Sequence, residues 1–153
     1  MSKISKNLYT IYNNPFMFTP LILEFYKAYP GSDKDSLLSY LILPLVLHGY
    51  TKDTLKNATI RSSLRSFVRK KENYYALPSR IDEYKDLTNI CIQNSIDTNN
   101  LIIRDNLSLE YIGDEIYSAP LLGDSMRAAR NLVKVIKDVD VVSVYRILGV
   151  KRL

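Results

Sequence analysis

Residues 37–47, Leu-Leu-Ser-Tyr-Leu-Ile-Leu-Pro-Leu-Val-Leu, form the longest apolar stretch of the 153-residue chain. Leu37, Leu38, Leu41, Ile42, Leu45 and Val46 cover nearly every direction around a helix, so the spacing predicts a helix buried on all sides. Ser39 and Pro44 interrupt the run, and it is too short to cross a bilayer, which takes about 20 apolar residues. Ser32 or Asp33 is its expected N-cap. Pro44 should kink it, because proline removes one backbone hydrogen bond and crowds the preceding turn. His48-Gly49 should end it, with His48 placed favourably for the helix dipole. A helix apolar all round needs other elements to cover it, and the flanking sequence supplies them.

On the N-terminal side, Asn14-Pro15 announces a helix, since Asn caps well and Pro suits the first helical position. Phe18, Leu21, Ile22, Phe25, Tyr26 and Tyr29 follow as one apolar stripe, stopped by Tyr29-Pro30-Gly31. Pro20 either kinks this helix or marks its true start. On the C-terminal side, Thr51 opens a short helical turn through Leu55. Thr59 then caps a predicted helix from Ile60 to Lys71, with Ile60, Leu64, Phe67 and Val68 inward and Arg61, Arg65 and Arg69 on another face. Ser79 and Asp82 form a variant capping box for a helix to Asn94, with Ile81, Tyr84, Leu87, Cys91 and Ile92 inward. Two strands, 101–104 and 107–111, flank a two-residue turn at Asp105-Asn106. Leu122, Met126, Ala129, Val133 and Ile136 make a helix seam. Asp140 caps a last helix with Val141, Val144, Tyr145 and Leu148 inward, and Gly149 follows as its C′ residue.

The expected fold is therefore mainly α-helical, a compact domain over residues 1–153 with one β-hairpin. A helix followed by a hairpin is also the order of a winged-helix half. Charge opposes DNA reading by that helix: it carries Asp82, Glu83 and Asp86 against Arg80 and Lys85, whereas a major-groove helix presents Arg, Lys, Asn or Gln.

Hydrophobic residues make up 46% of the chain and charged residues 24%, an ordinary globular balance that argues against disorder. Net charge is +5, unevenly distributed. Residues 60–71 hold five bases and no acid, 81–118 eight acids and two bases, and 125–153 seven bases and two acids. The single cysteine excludes an intrachain disulfide and Cys-rich zinc modules, and the single histidine excludes His-pair metal motifs. The N-terminal residues carry no signal-peptide core, so the expected compartment is the cytoplasm.

Chemistry is mostly absent. Five glycines form no phosphate-binding loop of the GxGxxG or GxxxxGK[ST] kind. Cys91 and His48 are a formal nucleophile pair, but Cys91 sits on an apolar stripe and reads as a core thiol. Asp114 and Glu115 read as a solvated turn, and Tyr74-Tyr75 as a connector that either stacks on a partner or is partly buried. The strongest polar feature is Arg61, Arg65 and Arg69, extended by Lys70 and Lys71. Such a row binds phosphates, docks on an acidic protein surface, or is only a solvated helix face.

Several segments together resemble a known family. They are Asn14-Pro15 before an amphipathic helix, Leu43-Pro44-Leu45-Val46-Leu47-His48 followed by Thr51 and Leu55, and Ser63-Leu64 with Phe67. Arg80 near the start of a helix, the hairpin, and Val144-Tyr145-Arg146-Ile147-Leu148-Gly149-Val150 complete the order. Over nearly the whole chain this is similar to the small middle component of ABC three-component systems, which include the third subunit of Lamassu-type anti-phage defence complexes. Where members often carry Leu-Gly-Arg-Trp, this chain has Asn131-Leu132-Val133-Lys134 and no tryptophan.

The resemblance implies a non-catalytic subunit with no catalytic residue, cofactor or metal of its own. It would link an SMC- or Rad50-like ATPase that senses foreign or broken DNA to an effector such as a nuclease, with DNA contact within the complex. The alternative is a stand-alone winged-helix DNA-binding regulator, and a small Cys or carboxylate enzyme is a third possibility.

Overall fold

A computed structural model describes residues 14–114 and 122–153. Seven α-helices and one two-stranded antiparallel hairpin account for the regular structure among these residues. The helices are α1 (Pro15–Ala28), α2 (Ser39–Val46), α3 (Gly49–Lys56), α4 (Leu64–Val68), α5 (Leu77–Asp97), α6 (Gly123–Ile136) and α7 (Val141–Ile147). The strands β1 (Leu101–Ile103) and β2 (Leu109–Tyr111) lie between α5 and α6. Helix α1 packs on α5 and α6, α2 on α1, α3, α5 and α6, and α3 on α6.

The apolar run at 37–47 is the centre of this packing. Every residue from Leu41 to Val46 is buried, and Leu41, Ile42, Leu43, Leu45 and Val46 are at most 1% exposed. Only part of it is α-helix: Asp35–Leu38 is a 3₁₀ turn and α2 begins at Ser39. Helix α1 begins at Pro15, with the Met17 N–H bonded to the Asn14 carbonyl, and runs through Pro20 without ending. Its predicted stripe is buried throughout, Phe18 to Tyr29.

Three carbonyls at the end of α2 are taken by side chains from three other segments. Arg80 Nη1 donates to Pro44 O at 2.8 Å, Thr51 Oγ1 to Leu45 O at 2.5 Å, and Ser125 Oγ to Val46 O at 2.9 Å. These are the orphan groups that every helix C-terminus leaves. His48 is therefore not the C-terminal cap that the sequence suggested. Its backbone is extended and it occupies the N-cap position of α3. The same device recurs: Asn131 Nδ2 donates to Leu55 O and Lys56 O at the end of α3, and Asn73 Nδ2 to Phe67 O at the end of α4.

The hairpin differs from expectation at its turn. The loop has three residues, Asp105, Asn106 and Leu107, closed by Leu107 N–H to Arg104 O and Arg104 N–H to Ser108 O. The left-handed residue is Leu107, at φ 62°, rather than Asp105 or Asn106. Asn106 Oδ1 accepts from Ser108 N–H and Oγ, which fixes the turn locally. The tip is also bonded to a distant segment: Lys34 N–H donates to Asn106 O, Ser36 N–H to Leu107 O, and Asn106 Nδ2 to Asp33 Oδ1. Leu107 is half exposed, while Leu101 and Leu109 are buried.

Helix α5 starts at Leu77, not at Ser79, because Pro78 fits the first turn and Ala76 precedes it in the left-handed region at φ 53°. The Ser79–Asp82 box does not form. Of its predicted seam, helix α6 buries Ala129, Val133 and Ile136, while Leu122 and Met126 are partly buried; it adds Ser125, Ala128, Asn131, Leu132 and Val135, since it is covered on two sides by α1 and α3. Helix α7 follows its reading closely. Asp140 Oδ2 accepts from Ser143 N–H, and the C-terminus closes with Gly149 N–H to Arg146 O and Val150 N–H to Tyr145 O. That pair is a Schellman motif, with Gly149 at φ 75°.

Candidate interaction surface

Residues 59–73 carry the basic cluster, and their local structure is not the continuous helix predicted. Ser and Thr side chains compete for the backbone there. Thr59 N–H donates to Ser62 Oγ, Arg61 N–H to Thr59 Oγ1, and Ser62 N–H to Thr59 O. This turn defers the helix until Ser63, whose side chain accepts from Ser66 N–H while Ser66 Oγ accepts from Ser63 N–H. The resulting α4 has five residues, and Ile60, predicted inward, is 91% exposed.

The five basic residues are therefore not one helical row. Arg61 lies in the turn before α4, Arg65 in its first turn, Arg69 at its C-cap, Lys70 in extended backbone, and Lys71 at the start of a 3₁₀ turn. All five are exposed, and none makes an ion pair with another described residue.

What the structure does bring together is the two basic stretches of the sequence. Helix α4 packs on α6 and α7, and between them lies an open cleft of about 470 Å³. Leu64, Val68, Val135, Val139 and Ile147 give it an apolar lining, with Arg65 and Lys134 on the basic side and Asp138 as the acid. Ile147 is 44% exposed. Sequence reasoning missed Lys134 and Ile147. The available signal was that Val142 and Ile147 are apolar yet lie off the inward face of the last helix.

A second apolar cleft, about 490 Å³, lies against α7 as well, lined by Val142, Tyr145 and Val150 together with Arg146, Lys151 and Arg152. A third, smaller and more polar, lies between the α1 end and β2. The buried Asp35 carboxylate lies there, accepting from Ser32 N–H at 3.0 Å and Leu109 N–H at 2.8 Å. Burial pushes its pKa above the ordinary carboxylate value, against the pull of those two amides.

The remaining candidates sort as follows. Cys91 is fully buried, and burial pushes its thiol up to about 11, so almost none is thiolate at neutral pH. His48 is largely exposed; partial desolvation of its ring and the Arg80 charge lower its pKa, and its Nδ1 stands 3.5 Å from Thr51 Oγ1. Arg80 and Cys91 lie eleven residues apart on α5, about 16 Å along the axis, so the structure does not pair Cys91 with His48. Tyr74 packs against the core and Tyr75 is exposed. Asp114 is exposed, and Glu115 lies outside the described residues. Among the described residues no group of three or more His, Cys, Asp or Glu is placed to hold a metal, and no helix is long and apolar enough to cross a membrane. The acids of α5, Asp82, Glu83 and Asp86, are all exposed.

Comparison with known proteins gives one result. No curated protein and no solved structure matches the chain. A family model does, over residues 2–152: the ABC-three component (ABC-3C) system middle component 3. A match across that span shows that the chain belongs to the middle component 3 family of ABC-three component systems.

Proposed function

We propose that this middle component is a non-catalytic linking subunit of a cytoplasmic anti-phage or anti-plasmid defence complex. It joins an SMC- or Rad50-like ATPase to an effector such as a nuclease, in the manner of Lamassu-type systems. The observation that carries this reading is the family match over residues 2–152, which makes the chain one component among several. The exposed basic segment with Arg61, Arg65, Arg69, Lys70 and Lys71 supports it as a docking surface, since its charges find no internal acid among the described residues. An acidic protein surface is the favoured partner of that segment.

The second reading, a stand-alone winged-helix DNA binder, draws on the order of α5 followed by the hairpin. Two features count against it. The hairpin tip is bonded to residues 33–36, and the exposed face of α5 carries acids.

Co-purification with the products of neighbouring genes, with and without DNA, tests the proposal. The chain should be retained with an ATPase and an effector in the absence of DNA. Simultaneous Arg61→Glu, Arg65→Glu and Arg69→Glu should abolish retention while the isolated subunit stays folded. Tight binding of the isolated chain to duplex DNA, falling with salt at a log–log slope near 0.9 per phosphate neutralised, would favour the regulator instead.

A further inference from the structure

We propose that the cleft between α4, α6 and α7 seats an amphipathic helix of a partner component, apolar stripe inward and flanking acids against Arg65 and Lys134. The inference rests on the linking role proposed above and names the chemistry of the docked element.

Two properties of the cleft select this occupant. Its floor is apolar, with Leu64, Val68, Val139 and Ile147 around a volume of about 470 Å³. Its charged lining is two bases to one acid, Arg65 and Lys134 against Asp138; Arg61 and Lys137 neighbour it in sequence, as does the acid Asp140. Asp140 is already engaged in capping α7. A ligand must therefore offer apolar side chains and negative charge together.

Duplex DNA offers the charge but presents no apolar chain to fill such a cleft. An amphipathic helix fills a groove with residues at i, i+3, i+4 and i+7 and carries its charges on the flanks. A second copy of this chain fits poorly. Its acidic helix face, Asp82, Glu83 and Asp86, is followed along α5 by Ile90 as its one exposed large hydrophobic. A second basic-rimmed apolar cleft, with Val142 and Arg146 in its lining, lies on the other side of α7 and is not part of this site.

A photo-crosslinking residue at position 147, introduced into the complex assembled with the neighbouring gene products, reads the occupant directly. The expected crosslink is to a partner segment with an apolar helical stripe flanked by Asp or Glu. Ile147→Glu, and separately Arg65→Glu with Lys134→Glu, should each lower partner retention at least tenfold with an unchanged far-ultraviolet circular dichroism spectrum. A crosslink to DNA, to a second copy of this chain or to a basic segment overturns the proposal. So does normal retention by both variants. A defined probe separates this inference from the linking role. A Leu-striped, Glu-flanked peptide of about 18 residues should bind the isolated chain at least tenfold more tightly than its Lys-flanked counterpart, by fluorescence anisotropy. Equal binding overturns the cleft assignment even if the complex forms. Selective peptide binding by a chain that fails to co-purify overturns the linking role alone.

Discussion

At the hairpin, polar groups are consumed internally. Asp35, fully buried, accepts the amides of Ser32 and Leu109, and Tyr26 Oη donates to the Asp35 carbonyl at 2.8 Å. The tip carbonyls of Asn106 and Leu107 and the Asn106 side-chain amide find partners in residues 33–36. In residues 59–73 Ser side chains likewise bond backbone amides, but the basic side chains are left to solvent. Both regions are loops and turns around short elements, and their opposite charge balance does not by itself say which groups are free to meet a partner. The difference lies in which groups have an internal partner. A carboxylate clamped by two amides holds structure together, whereas guanidinium groups with no internal acid are free to meet something else.

Substitutions can break or sharpen this contrast, measured by urea denaturation of the isolated chain. The largest effect belongs to neither region but to the core beneath both: Leu45→Ala, at a site 1% exposed, should cost about 2–5 kcal/mol. Asp35→Ala should follow at about 1–3 kcal/mol, because it leaves the Leu109 and Ser32 amides without their acceptor. Asp35 also predicts a pH dependence. Its folded pKa lies above the unfolded value, so its contribution is fully present below the unfolded pKa and is lost as pH rises through the folded one. The stability difference between wild type and Asp35→Asn should accordingly shrink as pH rises above about 4. The smallest effect is expected at the basic segment, where Arg61→Glu, Arg65→Glu and Arg69→Glu together should change stability by no more than about 0.5 kcal/mol per site. A large loss there would mean that these arginines are structural, and the contrast would fail.

Local signals in the sequence were enough for some elements. The Asp140 cap, the Val141, Val144, Tyr145 and Leu148 face and Gly149 placed α7 and its termination, because each depends only on neighbours a few residues away. The α1 stripe and the hairpin were legible for the same reason. The predicted 60–71 helix failed locally, since Ser62, Ser63 and Thr59 offer the backbone an alternative to helix that apolar spacing does not record. The α2 end failed at long range. Its caps come from Arg80 and Ser125, which lie 36 and 79 residues from the carbonyls they serve. The candidate surface was half legible: the basic residues were visible, but the cleft joining Arg65 to Lys134 exists only once α4 packs on α6.

The three side chains that close α2 also bear on the order in which the chain acquires its structure. As the polypeptide leaves the ribosome, Leu45 O can find Thr51 almost at once, Pro44 O must wait for Arg80, and Val46 O for Ser125. The most apolar helix of the protein thus emerges early but gains its last cap late. Until α6 arrives, one face of α1 and the end of α2 stay uncovered, the kind of exposed apolar surface that makes a partly folded chain prone to aggregate. Productive folding is therefore tied to release of the C-terminal third rather than built up stepwise from the N-terminus, and a nascent chain stalled before residue 123 should remain protease-sensitive across 39–56.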